Sequence, residues 1–343
     1  MEIKIPSFVY IQKGAFEKLK IVLKKINSEN PIIITDPIVS EILKDKIAEL
    51  GIEKILINEA SILEARKIIL SLSYSDVDAI VGIGGGRVLD ISKVVASELN
   101  VHFISVPTTA SHDGIASPVA SFKEGGKPVS IAAKPPTAVI ADLEIIEKCP
   151  QRLIHSGFGD LISNITAVKD WKLSRDLTGE SYNEIAASIA TIPAYLLLEK
   201  TNGDFDLKKE LELLLRGLIM SGVAIAMVGS SRPASGAEHK FSHALDYLGY
   251  GNATHGEQVG LGTIIFEFMY EENYGDGNWV SVKNALKKAG APVRLSEVGI
   301  SKDQALEALN YAKRIRRKRF TILEALNPKS EDFERVLIKT DMI

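Results

Sequence analysis

Three histidines, His239, His243 and His255, form a cluster in a chain that contains only six. His239 and His243 are four residues apart, a spacing that puts both on one face of a helix. His255 stands where the next helical pattern begins. Two imidazoles and one carboxylate from elsewhere in the chain would make an open metal site with positions left for water or substrate. The cluster therefore predicts a catalytic metal site, against the simpler interpretation that these histidines are structural.

The candidate carboxylate is that of Asp160. It follows Gly157 and Gly159 at a predicted helix start, so capping that helix is its alternative role. The single cysteine, Cys149, leaves no thiolates for a closed structural zinc site and no partner for a disulfide within the chain. Two histidines and a carboxylate suit Zn²⁺ and also Fe²⁺.

A glycine turn follows a predicted strand and opens a predicted helix. Glycines let the backbone approach a phosphate, and the N–H groups at a helix start bind the anion. The turn lacks the G-x-G-x-x-G pattern, because Arg87 occupies the third glycine position, and it is not a P-loop. The turn predicts a dinucleotide site, although a tight turn without a ligand explains the same glycines. Its residues are Gly84, Gly85, Gly86, Arg87, Val88, Leu89 and Asp90.

A second polar loop, residues 107–118, follows the next predicted strand, at the strand end where ligands bind in open α/β sheets. Asp113 in this loop could accept hydrogen bonds from substrate hydroxyls. The alternative is that its serine, aspartate and glycine residues only form turns. At the end of an earlier strand, Asp36 could repel a 2′-phosphate and favour NAD over NADP.

The elements that must position these residues change in type along the chain. Up to residue 150, predicted strands alternate with predicted helices, a pattern typical of a parallel, Rossmann-like sheet with right-handed crossovers. The predicted strands are 31–36, 54–58, 78–84 and 102–106, and the predicted helices between them are 38–50, 62–72 and 88–98. Beyond residue 150 only helices are predicted: 184–199, 208–228, 257–270, 279–289 and 302–314. We therefore predict an α/β domain over residues 1–150 and an all-α domain over 151–343, with a boundary near 148–156.

The bulk properties exclude several classes of function. The chain has 343 residues and a net charge of −3, which gives no basic field for nucleic acid. The most apolar stretch, residues 211–228, contains Arg216 and is predicted to be a buried helix, with no membrane span. Residues 1–16 show no signal-peptide pattern, and the low cysteine content fits a reducing cytosol, so a cytoplasmic protein is expected.

The glycine turn, the Pro-Thr-Thr-x-Ser-x-Asp loop and the widely separated Asp, His and His occur in one order. Together they resemble the superfamily of glycerol dehydrogenases, dehydroquinate synthases and iron-activated alcohol dehydrogenases, over nearly the whole chain. Within it, Arg87 and the segment 231–246 resemble the branch that acts on glycerol 1-phosphate. The resemblance implies a dehydroquinate synthase-like fold, with the dinucleotide bound by residues 1–150, metal and substrate bound by residues 151–343, and an active site between them.

The same resemblance implies an activity. That activity is the reversible reduction of dihydroxyacetone phosphate to sn-glycerol 1-phosphate with NADPH or NADH and one Zn²⁺ per subunit. The product is the backbone of archaeal ether lipids, so lipid biosynthesis is the implied pathway, and a homo-oligomer is the implied assembly. A glycerol dehydrogenase acting on unphosphorylated glycerol or dihydroxyacetone is the main alternative. A lyase that uses NAD transiently and a non-catalytic nucleotide-binding protein are the others.

Residue roles follow from the resemblance position by position. It implies Asp160, His239 and His255 as metal ligands. It implies catalytic contacts to substrate from His243, Asp113 and Asp160. The implied nucleotide contacts are Gly86, Arg87, Val88, Leu89, Asp90, Thr108, Thr109, Ala110, Ser111 and Ser117. Arg232 and Lys240 flank the histidine cluster and are candidates for binding the substrate phosphate, with solvated surface charges as the alternative.

Overall fold

The computed structural model describes residues 3–125 and 127–343, and of Lys127 only the backbone. The chain forms two compact units, Met1–Pro150 and Gln151–Ile343. The first combines strands with helices. In the described part of the second, every regular element is a helix.

The first unit is built on a six-stranded sheet in the order β1-β8-β5-β4-β2-β3, and every pair in it is parallel. A separate antiparallel hairpin pairs β6 with β7. The strands are β1 Phe8–Gln12, β2 Pro31–Thr35, β3 Lys54–Leu56, β4 Ala79–Gly84, β5 His102–Pro107, β6 Val119–Glu124, β7 Lys127–Ala132 and β8 Ala138–Asp142. The helices are α1 Lys18–Lys25, α2 Pro37–Ile42, α3 Lys44–Ala48, α4 Ile62–Leu72, α5 Gly86–Leu99 and α6 Leu143–Ile146. The parallel α/β architecture predicted from the alternating pattern is therefore confirmed.

The four predicted strands form the middle and one edge of the sheet. The sequence could predict them because a strand that is buried on both faces, such as β4, is a continuous apolar run. The sequence pattern missed β1 and β8, which complete the other edge. Asp142 at the end of β8 accepts hydrogen bonds from the N–H groups of Gly14 (3.1 Å) and Phe16 (3.0 Å) and so fixes the chain that follows β1. The single helix predicted over 38–50 is wrong in one respect, since it divides at Leu43 into α2 and α3.

The second unit contains nine helices in its described residues. They are α7 Gln151–Thr178, α8 Glu184–Lys200, α9 Leu211–Val228, α10 Ala237–Leu248, α11 His255–Tyr274, α12 Trp279–Lys288, α13 Lys302–Ala312, α14 Ile322–Leu326 and α15 Ser330–Lys339. Five of them match the predicted helices closely. The longest, α7, has little amphipathic pattern because it is buried on most sides, and the sequence analysis placed only a helix start within it.

Helix α9 is the one helix in the described residues that is long and apolar enough to cross a membrane. Its mean hydropathy is 1.9, and 56% of it is buried inside the protein. It packs against α8 and α7 of the same unit. This packing is that of the buried helix that the sequence predicted.

Helices α7 and α11 approach so closely that glycine is required at the contact. A Cβ on Gly256 would overlap the backbone carbonyl of Ser156, and a Cβ on Gly159 would overlap the carbonyl of Gly256. The residues next to these glycines are Asp160 on α7 and His255 on α11. Because these glycines have no side chains, the two helices pack closely enough to place the Asp160 carboxylate near the His255 imidazole.

We predict that Gly256→Ala lowers the free energy of unfolding by about 1–3 kcal/mol or more, because a backbone carbonyl cannot move aside as a side chain can. Gly260→Ala on the same helix is the matched control, since its Cβ would meet the flexible end of Leu286 at 3.2 Å. Chemical denaturation of both variants measures the difference. Equal stability of the two variants would contradict the account of the α7–α11 contact.

Candidate active site

One carboxylate and two imidazoles converge in the second unit. Asp160, His239 and His255 each offer a ligand atom, and the three atoms lie within 4.8 Å of one another. Asp160 Oδ1 lies 3.6 Å from His255 Nε2 and 3.9 Å from His239 Nε2. The three residues come from α7, α11 and α10, so only the folded unit brings them together. The alternative considered for Asp160, capping a helix start, is wrong, because Asp160 lies in the interior of α7 and not at its start.

The outer nitrogens of both imidazoles are held by neighbouring side chains. Ser242 Oγ donates its single proton to Gln258 Oε1 at 2.6 Å and therefore accepts from His255 Nδ1 at 3.2 Å. His239 Nδ1 donates to Glu238 Oε1 at 2.8 Å. In both rings this leaves the Nε2 lone pair directed at the space beside Asp160, the arrangement that a metal-binding histidine needs.

The surroundings keep His239 neutral. Burial, and then the charges of Arg316 and Arg319, hold the pKa of His239 well below its ordinary value. A neutral imidazole is the form that binds a metal. The donor set, two oriented Nε2 atoms and one carboxylate, fits Zn²⁺ or Fe²⁺.

His243 lies one helical turn after His239 on α10, and its ring centroid is 6.3 Å from that of His255. Burial, followed by the charges of Arg316, His255 and His239, lowers the pKa of His243. Its Nδ1 is buried and has no hydrogen-bond partner among the described residues. A neutral imidazole with an unused nitrogen beside the three candidate metal ligands can accept or donate a proton.

The two loops predicted to bind a nucleotide are neighbours in the first unit. Strands β4 and β5 are paired so that Gly84 lies opposite Pro107, and the N–H of Thr108 donates to Gly84 at 3.0 Å. Helix α5 begins at Gly86 with Gly85 as an N-cap that has no capping side chain. The N-terminal N–H groups of α5 therefore lie at the carboxyl end of the sheet, where phosphates bind.

The side chains in these loops differ in what they could contact. Arg87 is exposed, but Val88, Leu89 and Asp90 are buried, and the Asp90 carboxylate pairs with Lys93 and accepts from the N–H of Ser121. Contact with a nucleotide from the three buried positions would therefore be limited to the main chain.

The remaining predicted nucleotide and substrate residues of this unit occupy turns and caps. Asp36 caps α2 through the N–H of Val39 at 2.9 Å, directly after β2. Thr109 donates to Ser111 at 3.4 Å, and Asp113 begins a short 3₁₀ turn. Ala110 and Ser117 are buried. The turn-forming role considered for this loop is thus present alongside any binding role.

The structure does not support the two cations considered for the substrate phosphate. Arg232 forms an ion pair with Glu180, and Lys240 forms one with Glu324. Sequence reasoning missed two other cations, Arg316 and Arg319, whose charges act on His239 and His243. The sequence feature that could have indicated them is the run of basic residues after α13, but composition alone predicts that such a run forms a solvated surface.

The fold and the first unit are similar to known dehydrogenases. Residues 10–150 match the family model described as iron-containing alcohol dehydrogenase. A glycerol dehydrogenase structure from Schizosaccharomyces pombe superposes with a TM-score of 0.79 at 22% identity, covering 99% of this chain and 90% of that chain. A probable glycerol dehydrogenase from Sinorhizobium meliloti gives 0.80 at 19% identity. These structures show the fold, which is that of the glycerol and iron-containing alcohol dehydrogenases.

Full-length relatives define the family more narrowly. A glycerol-1-phosphate dehydrogenase [NAD(P)+] of Archaeoglobus fulgidus is 57% identical over 98% of each chain. A protein of the same name from Metallosphaera sedula is 44% identical, over 94% of this chain and 92% of its own. The chain belongs to the family of glycerol-1-phosphate dehydrogenases.

We predict that His239→Ala and His255→Ala each lose the bound metal while the fold is kept. Loss of a first ligand should weaken metal affinity by more than the roughly 10- to 100-fold expected for an outer partner. His102→Ala, a change of the same type in the first unit, is the control. Metal content after dialysis, with circular dichroism as the test of folding, gives the answer. A full complement of metal in either cluster variant would contradict the ligand assignment.

Proposed function

We propose that this protein catalyses the NAD(P)H-dependent reduction of dihydroxyacetone phosphate to sn-glycerol 1-phosphate, with Asp160, His239 and His255 as the metal ligands. The observation that carries the proposal is the convergence of these side chains, with both Nε2 atoms directed at the carboxylate, in a chain 57% identical to a glycerol-1-phosphate dehydrogenase. The reaction is an oxidoreduction at a CH–OH carbon.

When bound, NAD(P)H supplies the hydride and a divalent metal supplies Lewis-acid polarisation of the ketone. We assign Zn²⁺ as the resident metal, which the Asp-His-His donor set suits. Glu238 and Ser242 hold the two imidazoles in the ligand tautomer through His239 Nδ1 and His255 Nδ1.

Proton transfer is assigned to His243. Reduction of the ketone to an alcohol would require one proton at the carbonyl oxygen. The low pKa of His243 keeps its imidazole neutral, so the ring can relay a proton to that oxygen by releasing one from one nitrogen and accepting one at the other, and Nδ1 is not committed to another group among the described residues. Asp113 in the first unit is the proposed partner of a substrate hydroxyl.

The nucleotide is proposed to bind the first unit. Its pyrophosphate would meet the N-terminal N–H groups of α5 at Gly86, and the loop from Thr108 to Ser117 would line the same edge of the sheet. Both NADH and NADPH are proposed as donors, as the names of the relatives indicate.

The cellular setting is also a proposal. The product would serve as the backbone of archaeal ether lipids, made in the cytoplasm, and the enzyme would act as a homo-oligomer. The alternative is a glycerol dehydrogenase acting on the unphosphorylated substrate; the structural neighbours of that name are 22% and 19% identical and share the fold alone.

We predict that the purified protein oxidises NADPH or NADH in the presence of dihydroxyacetone phosphate, that chelator pretreatment abolishes this and that Zn²⁺ restores it. Loss of nicotinamide absorbance measures the rate, and the configuration of the product identifies the branch. Turnover of glycerol or dihydroxyacetone but not of the phosphate ester would favour the alternative.

We predict that His243→Ala retains the metal and loses about 10²–10⁴-fold in turnover, the usual contribution of a general acid. Steady-state rates and metal content are measured on one preparation. A turnover equal to that of the parent would remove His243 from the mechanism.

A further inference from the structure

A basic segment, residues 314–319, follows α13 and carries five cations. The N–H of Arg319 donates to the carbonyl of Arg316 at 2.7 Å, so a turn brings these two arginines together. Arg316 has a φ of +44°, in the left-handed region that side-chain-bearing residues seldom adopt. Non-glycine residues held in this conformation concentrate at functional sites.

Both arginines of the turn contact Ser235, an extended residue that lies two positions before the start of α10 and four before His239. Arg316 Nη1 donates to Ser235 Oγ at 3.0 Å, and Arg319 Nη1 donates to the Ser235 carbonyl at 2.5 Å. Ser235 leads into α10, the helix that carries His239 and His243. The turn is therefore hydrogen-bonded to the segment that positions these two histidines.

The same turn lines a cavity of about 420 Å³. Its lining is basic apart from one serine and one carboxylate: Glu180, Ser230, Arg232, Arg316, Arg317, Lys318 and Arg319. The one carboxylate, Glu180, is already engaged by Arg232 through a two-pronged contact. The cavity thus carries more positive charge than its own acidic group balances.

Arg319 shows this excess most clearly. Its guanidinium donates to two neutral groups, the Ser235 carbonyl and Ser231 Oγ (2.9 Å), and it forms no ion pair with any described residue. Burial, and then the charges of Arg316 and Arg232, lower the pKa of Arg319 to about 9. A bound dianion would relieve this repulsion.

We propose that Arg316 and Arg319 bind the phosphate group of the substrate, an inference that rests on the proposed function. The planar guanidinium fork matches the geometry of phosphate oxygens and binds them in pairs. This assignment replaces Arg232 and Lys240, whose charges are neutralised within the protein. It makes the turn at 316–319 the element that selects a phosphorylated ketone over an unphosphorylated one.

The test compares Arg316→Gln and Arg319→Gln with the parent on two substrates. For dihydroxyacetone phosphate we expect kcat/KM to fall by about 10- to 100-fold in each, chiefly through KM, as a charge-assisted contact is lost. For unphosphorylated dihydroxyacetone kcat/KM should fall much less, because only the effect of the lost charge on His239 and His243 remains there, and inhibition by inorganic phosphate should weaken. Arg314→Gln, exposed in the same segment and outside the cavity, is the matched control and should resemble the parent.

Equal losses on both substrates would indicate a merely structural role and overturn the proposal, as would unchanged inhibition by phosphate. A parent that does not reduce dihydroxyacetone phosphate would instead refute the proposed function. In that event, calorimetric titration with inorganic phosphate tests the anion site by itself. Binding to the parent that Arg319→Gln abolishes supports the site, and absence of binding to the parent refutes it.

Discussion

The contact between α7 and α11 is the constraint on which the rest of the second unit depends. Side chains at Gly159 or Gly256 would overlap backbone carbonyls, so the two helices can approach only where these glycines face each other. The neighbouring residues, Asp160 and His255, are thereby placed 3.6 Å apart, between Oδ1 and Nε2. His239 from α10 completes the candidate metal site, whose three side chains are held by helices and not by loops.

The charges around the cluster of Asp160, His239 and His255 keep His239 in the neutral form that binds a metal. Burial and two nearby guanidiniums keep His239 neutral, and Glu238 fixes its tautomer by holding Nδ1. The same guanidiniums, from Arg316 and Arg319, supply the positive charge that an anionic substrate requires in a protein whose net charge is only −3. In our proposal, one basic turn therefore both lowers the pKa of His239 and binds the phosphate of the substrate.

The sequence predicted the parallel sheet, most helices and the cluster of Asp160 with the histidines, because apolar runs and four-residue spacing are local signals. It could not locate Asp160 within a helix, since α7 is buried on most sides and shows little amphipathic pattern. It also offered Lys240 and Arg232 as candidates for phosphate, beside the alternative of solvated charges, because they are close in sequence to the histidines. Only the fold reveals that these pair with carboxylates, whereas Arg316, from a segment that reads as solvated, turns inward to Ser235.

The central claim is that one divalent metal, held by Asp160, His239 and His255, contacts the substrate ketone. Metal-edge X-ray absorption on protein loaded with one equivalent of Zn²⁺, with and without dihydroxyacetone phosphate, tests it most directly. The account predicts a shell of oxygen and nitrogen atoms with two imidazoles and no sulfur, which changes when the substrate binds. A sulfur ligand, a shell without imidazoles, or a spectrum that the substrate leaves unchanged would contradict it.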